Sequence, residues 1–472
     1  LTVCRAEGNI AAQENTLITI SSISKRVVAS WCLALAVFVV AAADRPESAQ
    51  QAPAAGAAPG RGQAPAPGRE GTAGAQGQGR GRGPAPVDTL GAGPWDFAAG
   101  RGTRIHVSVV TKGLDHPWGI AFLPDPSTPL GAGGLNMLVT ERPGRLRQIK
   151  NGVLDPTPIG PMPEMLATGL GGLLDVSLHP RFAQNRLIYL TYSKPGPKGG
   201  GDATTAVLRA KWDGGSTLTE VKDILVADAY HGGPGSPQGL GPASGSYGSR
   251  LAWDRAGFLY VSLGDRNYPP ASQNPASHIG KILRLRDDGS VPADNPYVSK
   301  PGYKPEIYSL GHRNPLGLAF HPVSGDLWST EEGPQGGDEL NKIEMGKNYG
   351  WPRTSLGRNY DGTKVGEGFS APGIEDPVVF WVPAIAISGL SFYDGDKFPA
   401  WKGNALVGAM RNNTGQHIQR VQFNAKGEPT GREIFLSELK QRIREVKPGP
   451  DGFIYAITDE TFGAVLKIEP GQ

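Results

Sequence analysis

Cysteine is almost missing from this chain: there are 2 in 472 residues, Cys4 and Cys32, both within the first 32 positions. Everything after them therefore cannot form an internal disulfide, a thiolate metal site or a cysteine nucleophile. An excess of one charge is missing too, since Lys plus Arg number 47 and Asp plus Glu 44. That balance creates no field that would argue for nucleic acid as a partner. No H-E-x-x-H, no Walker loop and no G-x-G-x-x-G between a strand and a helix occurs, so zinc proteolysis, nucleotide hydrolysis and nicotinamide chemistry lack their usual geometry. What is abundant is glycine, 68, and proline, 42, or about 14% and 9% of the chain, against typical usage of roughly 7% and 5%. That composition disfavours long helices, and a turn-rich β protein fits it.

The first hundred residues read as address and tether. Lys25 and Arg26 precede an apolar run from Val27 to Val40, and Ala41 to Ala43 supply a small-residue cleavage site. That order predicts a secretory signal over residues 1–43, including an N-terminal extension, and hence a periplasmic or secreted protein. The run is 14 residues, short of the roughly 20 of a spanning helix, so no transmembrane domain is expected in the mature form; an uncleaved anchor is the alternative. Residues 51–86 are Gly, Ala, Pro, Gln or Arg at 34 of 36 positions. Such a segment buries too little apolar surface to offset its ordering entropy, and 44–100 is read as a disordered linker.

From residue 101 to 472 one phrase recurs: a short apolar strand, a turn of Pro, Asp or Gly, and a second apolar strand ending in polar residues. Copies include GIAFLPD with MLVTER, SRLAWDRAG with FLYVSLGDR, and REVKPGPDG with FIYAITDE. Anchoring on Ile120, Val176, Leu251, Leu318, Leu390 and Val446 gives spacings of 56, 75, 67, 72 and 56. Six such units predict an all-β fold, a six-bladed β-propeller. The second strands end in Glu141 and Arg142, Ser193, Asp265 and Arg266, Glu331 and Glu332, Arg411, and Asp459 and Glu460. Rotation about a common axis would gather these ends on one rim.

Several phrases are more specific: LDHPWGIAFLPD with LVTERPGRLRQI, GGLLDVSLHPRF, HIGKILRLRDDGSVPADNPY, IYSLGHRNPLGLAFHP, EEGPQGGDELNKIEMGKNYGWP and RIREVKPGPDG. Together, in this order, they resemble the soluble quinoprotein glucose, sorbosone and aldose sugar dehydrogenases. The resemblance implies pyrroloquinoline quinone (PQQ) assisted by Ca2+, a small-molecule sugar substrate oxidised at C1 to a lactone, and a separate electron acceptor. It places cofactor binding on Arg313, Asn314, Arg442 and Arg444, with Arg411 where the family usually has a lysine. It assigns the carbonyls of Gly333 and Pro334 to the cofactor-bound calcium, and Glu339, Tyr349 and Asp361 to a second, structural calcium. The chemistry suits the residue types, because arginine meets a carboxylate with two parallel hydrogen bonds and calcium takes oxygen ligands.

The departures fall on catalysis. In SYGSRL, Ser246 stands where the family has its catalytic histidine, and serine unaided lacks the pKa of a general base. Leu170 and Leu316 occupy positions where the family has glutamine. Replacement bases are His231, opening a glycine-rich loop that leads to Ser246, and Asp265. His116, His179, His278 and His312 read as structural. Two other functions stay open: a catalytically altered propeller that binds PQQ or carbohydrate, and a calcium-dependent lactone hydrolase, against which the cationic rim argues.

Overall fold

In the computed structural model, the described residues are 87–472 apart from 101, 125–134, 198–201, 231–244 and 413–414. The expected signal segment, the linker up to residue 86, and His231 lie outside them. The described chain is nearly all strand, in six antiparallel sheets. Each of five blades takes four strands consecutive in sequence, and their innermost strands are Pro117–Phe122, Leu173–Leu178, Gly248–Trp253, Pro315–Phe320 and Ile387–Phe392. The sixth blade combines both ends of the described chain: Ile443–Pro448, Ile454–Thr458 and Gly463–Pro470 continue into Arg104–Leu114 and Trp95–Ala98. The six innermost strands pack on one another in cyclic order, which closes the propeller.

The sixth blade begins N-terminal to the boundary expected at residue 101. Trp95–Ala98 pairs with Arg104–Leu114 in register Trp95 to Val107, and Trp95 and Phe97 pack against the core between blades five and six. Two half-buried aromatics alternate here with the exposed Asp96 and Ala98, the pattern of a strand covered on one face.

Each blade is buried on both faces, because a neighbouring blade covers each side. The second strands Met137–Glu141, Leu259–Leu263, Leu327–Glu331 and Ile454–Thr458 are accordingly buried at every position. Continuous apolar runs, rather than alternation, are what a doubly covered strand requires. Six apolar clusters fill the six gaps between blades, one for example joining Leu138 and Ala121 to Val176 and Leu190.

A second repeat lies in the backbone. In all six blades the register between the first and second strands shifts near the start of the first, as between Pro117 and Ile120, Leu173 and Val176, and Gly248 and Leu251. Such bulges bend a strand and re-aim its side chains. Second-strand hydroxyls tie the bulges together around the ring. Thr191 Oγ1 accepts from Asp175 N at 2.8 Å and donates to Ser249 O of the next blade at 2.8 Å. Ser262 Oγ does the same between Arg250 N and Pro315 O. The inner strands approach so closely that a Cβ on Gly119 would sit 2.6 Å from Asp175 Oδ1.

Buried charge fixes the centre. Arg250, on the third inner strand, donates from Nη1 to Asp175 Oδ1 of blade two (3.2 Å) and to Glu445 Oε2 of blade six (2.9 Å). Its Nε donates to Leu316 O of blade four at 2.6 Å, and its guanidinium lies 4.1 Å from the ring centre of Trp118 in blade one. Burial pushes the Glu445 carboxyl up, but Arg250 and Lys447 outweigh it and hold the group below its ordinary value.

Removing one member of a buried ion network strands the others in a medium that solvates them poorly. Arg250→Leu is therefore expected to lower unfolding free energy by about 3–5 kcal/mol. Urea unfolding followed by intrinsic fluorescence checks this; a loss no larger than that of an exposed arginine substitution would show that the hub does not hold the blades together.

Candidate functional site

The starts of the inner strands surround a cavity of about 400 Å³ at one mouth of the channel. Its apolar part comes from Trp118, Leu170, Leu174, Tyr247, Leu316, Ala386 and Met410, and its polar part from Arg142, Asn314, Glu332, Arg411, Asn412, Arg442 and Arg444. Several flanking residues take left-handed backbone conformations without being glycine: His116 (φ 47), Ser249 (φ 81), Arg266 (φ 52), Asn267 (φ 57) and Ala386 (φ 51). Conformations of this kind persist where the surrounding structure over-determines them, which is a feature of ligand sites.

Of the five residues read as cofactor-binding, Asn314, Arg411, Arg442 and Arg444 line this cavity. Arg442 and Arg444 flank Ile443 at the start of the sixth inner strand and differ in exposure: Arg444 is buried and Arg442 is partly exposed. Both reach the buried carboxylate of Asp459, Arg444 through a hydrogen bond and Arg442 at 3.5 Å. The other partners of the outer cations are neutral carbonyls, Met410 O for Arg442 (2.5 Å) and Ala384 O for Arg411 (2.6 Å). Arg444 Nε is buried with no partner. Four guanidiniums thus face two carboxylates, Glu332 in the wall and Asp459 behind it, so the cavity carries a net positive charge. Asn314 is held between Glu332, which accepts from its Nδ2 at 2.9 Å, and Gly248 N, which donates to its Oδ1 at 3.1 Å.

Arg313 points away from this cavity into a neighbouring void of about 10 Å³, a volume that suits one water or ion. Its Nη1 donates to Glu332 O (2.7 Å) and Gly333 O (3.0 Å). Glu331, Glu332, Gly333, Glu339 and Tyr349 share the walls of that void. Burial and the nearby Glu331 push the Glu339 carboxyl above its ordinary value, although its Oε2 accepts from Asn341 Nδ2 at 3.0 Å. Pro334 is buried beside Gly333. Asp361 is not part of this group: it is exposed, and its Oδ1 closes its own turn by accepting from Thr363 N (2.9 Å) and Oγ1 (2.6 Å). Among the described residues no group of three or more His, Cys, Asp or Glu side chains is arranged to hold a metal ion.

Neither described candidate base lines the cavity. Asp265 is fully buried; its Oδ2 accepts from Trp351 Nε1 at 2.9 Å and its Oδ1 from Asn267 N at 3.0 Å, and Ser246 also bonds to the carboxyl. Burial raises the Asp265 carboxyl against the lowering influence of Arg313 and these donors. Ser246 is buried next to Tyr247, which does line the cavity. The histidines of the scaffold phrases are engaged: His312 bridges Ser309 Oγ (2.9 Å) and Glu331 Oε2 (2.8 Å), and His116 Nδ1 meets Asp459 Oδ1 at 2.8 Å.

Trp118, Tyr247, Met410 and Asn412 were not singled out from sequence. Trp118 and Tyr247 stand just before two of the repeat anchors, a place the repeat puts at the mouth, and each ring is backed by a buried guanidinium, Arg250 at 4.1 Å and Arg266 at 3.6 Å from the ring centre. Such stacking holds a flat aromatic wall in one orientation.

The Asp459 carboxyl gives a test in acid. Burial alone would raise it, but Arg444, His116, Arg142 and Arg442 together hold it well below its ordinary value of 3.8. A depressed carboxyl contributes stability that is fully present above the unfolded value and is lost as pH falls beneath it. Asp459→Asn should therefore lower stability at pH 7 and flatten its decline below about pH 4. Unfolding midpoints measured from pH 7 to pH 2.5 check this, and parallel acid limbs for the two proteins would refute it.

Comparison with known proteins gives this cavity a context. Residues 114–467 match the family model described as Glucose / Sorbosone dehydrogenase. The chain is 38% identical over 388 residues to the aldose sugar dehydrogenase YliI of Escherichia coli, covering 82% of this chain and 97% of that one. It is 27% identical over 458 residues to quinoprotein glucose dehydrogenase B of Acinetobacter calcoaceticus, covering 79% and 89%. The solved apo-form of the soluble aldose sugar dehydrogenase from Escherichia coli aligns with a TM-score of 0.70 at 39% identity, over 78% of this chain and 100% of that one. The PQQ-bound aldose sugar dehydrogenase of Streptomyces coelicolor aligns with a TM-score of 0.59 at 25% identity, over 77% and 98%. The family model spans most of the chain and the Escherichia coli relative is matched over nearly its whole length, so the chain belongs to the glucose/sorbosone dehydrogenase family.

Proposed function

We propose that this chain is a PQQ-dependent sugar dehydrogenase that oxidises an aldose or a related alcohol at the mouth of the channel. The observation that carries the reading is the charge of the 400 Å³ cavity, where four arginines meet two carboxylates and Arg444 Nε lacks a partner. A planar tricarboxylate matches that surplus, and guanidinium forks meet carboxylates with two bonds each. Arg411, Arg442 and Arg444 would bind its carboxylates, Asn314 would orient it, and Trp118 and Tyr247 would cover its flat faces. When bound, the quinone supplies the two-electron acceptor for oxidation of the sugar at C1, and calcium polarises it. The oxygen-rich surroundings of Gly333 and Pro334 suit that ion, although Gly333 O also accepts from Arg313. Glu339 and Tyr349 share a void that also holds Glu331 and Glu332, and this concentration of oxygen donors suits a second calcium. Asp361 would reach such an ion only by leaving its bonds to Thr363.

Turnover also needs a group that takes the sugar hydroxyl proton. Asp265 and Ser246 are the described candidates of the sequence, with His231 the third, and an electron acceptor must then take electrons at the open mouth. The signal-like run before residue 44 supports export to the periplasm or beyond; among the described residues no helix is long and apolar enough to cross a membrane. A second reading, a propeller that binds PQQ or carbohydrate without turning it over, is favoured by one observation: Asp265 and Ser246 bond to each other and neither lines the cavity.

Titration of the apo-protein with PQQ in the presence and absence of Ca2+, followed by an aldose panel read with an artificial electron acceptor, tests both readings. Calcium-dependent binding with turnover supports the dehydrogenase, binding without turnover the second reading, and no binding overturns the cofactor assignment. Arg411→Gln and Arg442→Gln should each weaken PQQ binding by roughly tenfold, the effect of losing one charge-assisted hydrogen bond. Asp265→Asn should leave binding within a few-fold and abolish turnover if Asp265 is the proton acceptor.

A further inference from the structure

The inner strands start at the mouth and end on the opposite face, where a second basic cleft lies between blades two and three. Leu173–Leu178 runs out into His179, Pro180 and Arg181, and the inner strand Gly248–Trp253 turns at Arg255 to Phe258. The third strand of blade three, Lys281–Leu285, runs parallel to the first and delivers Arg286 and Asp287 to the same place. These residues line a cleft of about 480 Å³, larger than the cavity at the mouth.

Its charge is unbalanced. Three guanidiniums face one carboxylate, and that carboxylate is directed elsewhere: His179 Nδ1 accepts from Arg181 N at 2.9 Å, which leaves Nε2 to face Asp287 Oδ2 at 3.6 Å. Arg255 donates to the carbonyls of Pro322 and Val323, which positions it without neutralising it. Arg181 and Arg286 are exposed, and no hydrogen bond or ion pair to their side chains occurs among the described residues; Arg286 leans over the Phe258 ring, 5.8 Å from its centre, and an acid it acts on, Asp294, is hydrogen-bonded by Arg284. The next acid, Asp288, closes its own turn on Ser290 N (2.9 Å) and Oγ (2.6 Å). Two positive charges therefore remain, on arginines from different blades whose backbones are fixed by strand ends, above an aromatic floor.

We propose that this cleft binds a phosphate-bearing ligand, clamped between Arg181 and Arg286 with Arg255 at its edge. A phosphate group would offset the surplus, fully as a dianionic monoester and in part as a monoanionic diester, and its oxygens match guanidinium forks. The phosphate belongs either to a soluble phosphate compound or to a phospholipid headgroup. The site is independent of the chemistry at the mouth, from which the length of the inner strands separates it.

The test is calorimetric titration of the full chain with inorganic pyrophosphate, beside sedimentation with phosphatidylglycerol and phosphatidylcholine vesicles. Saturable pyrophosphate binding is expected that weakens about tenfold or more in Arg181→Ser/Arg286→Ser and persists in Arg411→Gln/Arg442→Gln. Arg286→Glu, an exposed change that circular dichroism would show to be folded, should abolish it. Binding only to phosphatidylglycerol vesicles, with the same sensitivity to Arg181 and Arg286, assigns the phosphate to a lipid headgroup. No saturable binding in either arm, binding indifferent to Arg181 and Arg286, or binding lost with the mouth arginines would overturn the proposal.

Discussion

Every blade of a propeller turns its first strand toward one axis, and here the axis is held by a single buried cation. Arg250 meets a carboxylate from blade two, another from blade six, a carbonyl from blade four and an aromatic face from blade one. A charge so placed cannot be solvated by water, so each of its partners is needed to offset its desolvation. The same bonds fix the azimuth of the blades. Leu251 N donates to Asp175 Oδ2 and Ile120 N to Glu445 Oε2, so the carboxylates that compensate the arginine also satisfy amides of the neighbouring blades. Apolar packing between sheets is roughly proportional to area and is indifferent to small slides; the ion network is not.

That rigidity bears on the site through the bulges. Because each inner strand is bulged close to its start, the residues before the bulge are released from regular alternation and can aim inward over the channel. Trp118, Leu174, Leu316 and Arg444 lie within the shift in four blades, and Gly248 and Ala386 at or just before it in the other two; all six line the cavity. The ring of hydroxyl bridges, such as Thr191 to Ser249 O and Ser388 to Arg444 O, pins the bulges to one another. The cavity is thus shaped by backbone that six blades share, while its chemistry is set by side chains that each blade varies.

The blade count was legible because the same turn chemistry recurs six times, and the chosen anchors Ile120, Val176, Leu251 and Leu390 are the residues at which register resumes after each bulge. The gathering of strand ends on one rim was legible in part: Arg142, Glu332 and Arg411 line the mouth, while Glu141, Asp265, Arg266, Glu331, Asp459 and Glu460 do not. Ser193 was read onto the same rim, and its hydroxyl instead accepts from Gly172 N at 2.7 Å. The hub was not legible, since Asp175 and Glu445 lie 75 and 195 residues from Arg250 and no local pattern marks a contact of that range. The strand Trp95–Ala98 was hidden for a different reason: it is 4 residues long, follows a glycine-rich stretch, and exists by pairing with Arg104–Leu114. Tyr247 and Trp118 sat in plain view within quoted phrases, but nothing in sequence separates an aromatic wall from an aromatic core.

Position 246 shows how far fold and chemistry can be separated in such a scaffold. Its carbonyl accepts from Arg266 N at 3.2 Å, and the Arg266 guanidinium bonds to the carbonyl of Gly245 at 2.9 Å. The facing chain is glycine, Gly264, whose Cβ would lie 2.5 Å from the Ser246 carbonyl if it had one. The backbone here is held by main-chain carbonyl bonds to Arg266, while the side chain faces the buried Asp265 carboxyl, so exchanging that side chain alters the acid–base inventory of the pair. The cavity arginines Arg411, Arg442 and Arg444 come from blades five and six and are tied to Ala384, Met410 and Asp459, whereas Asp265 bonds to Ser246, Asn267 and Trp351. The cationic wall of the cavity and the buried Ser246–Asp265 pair thus rest on separate parts of the ring. A change in one can be tolerated while the other is kept, which is why the two have to be measured apart.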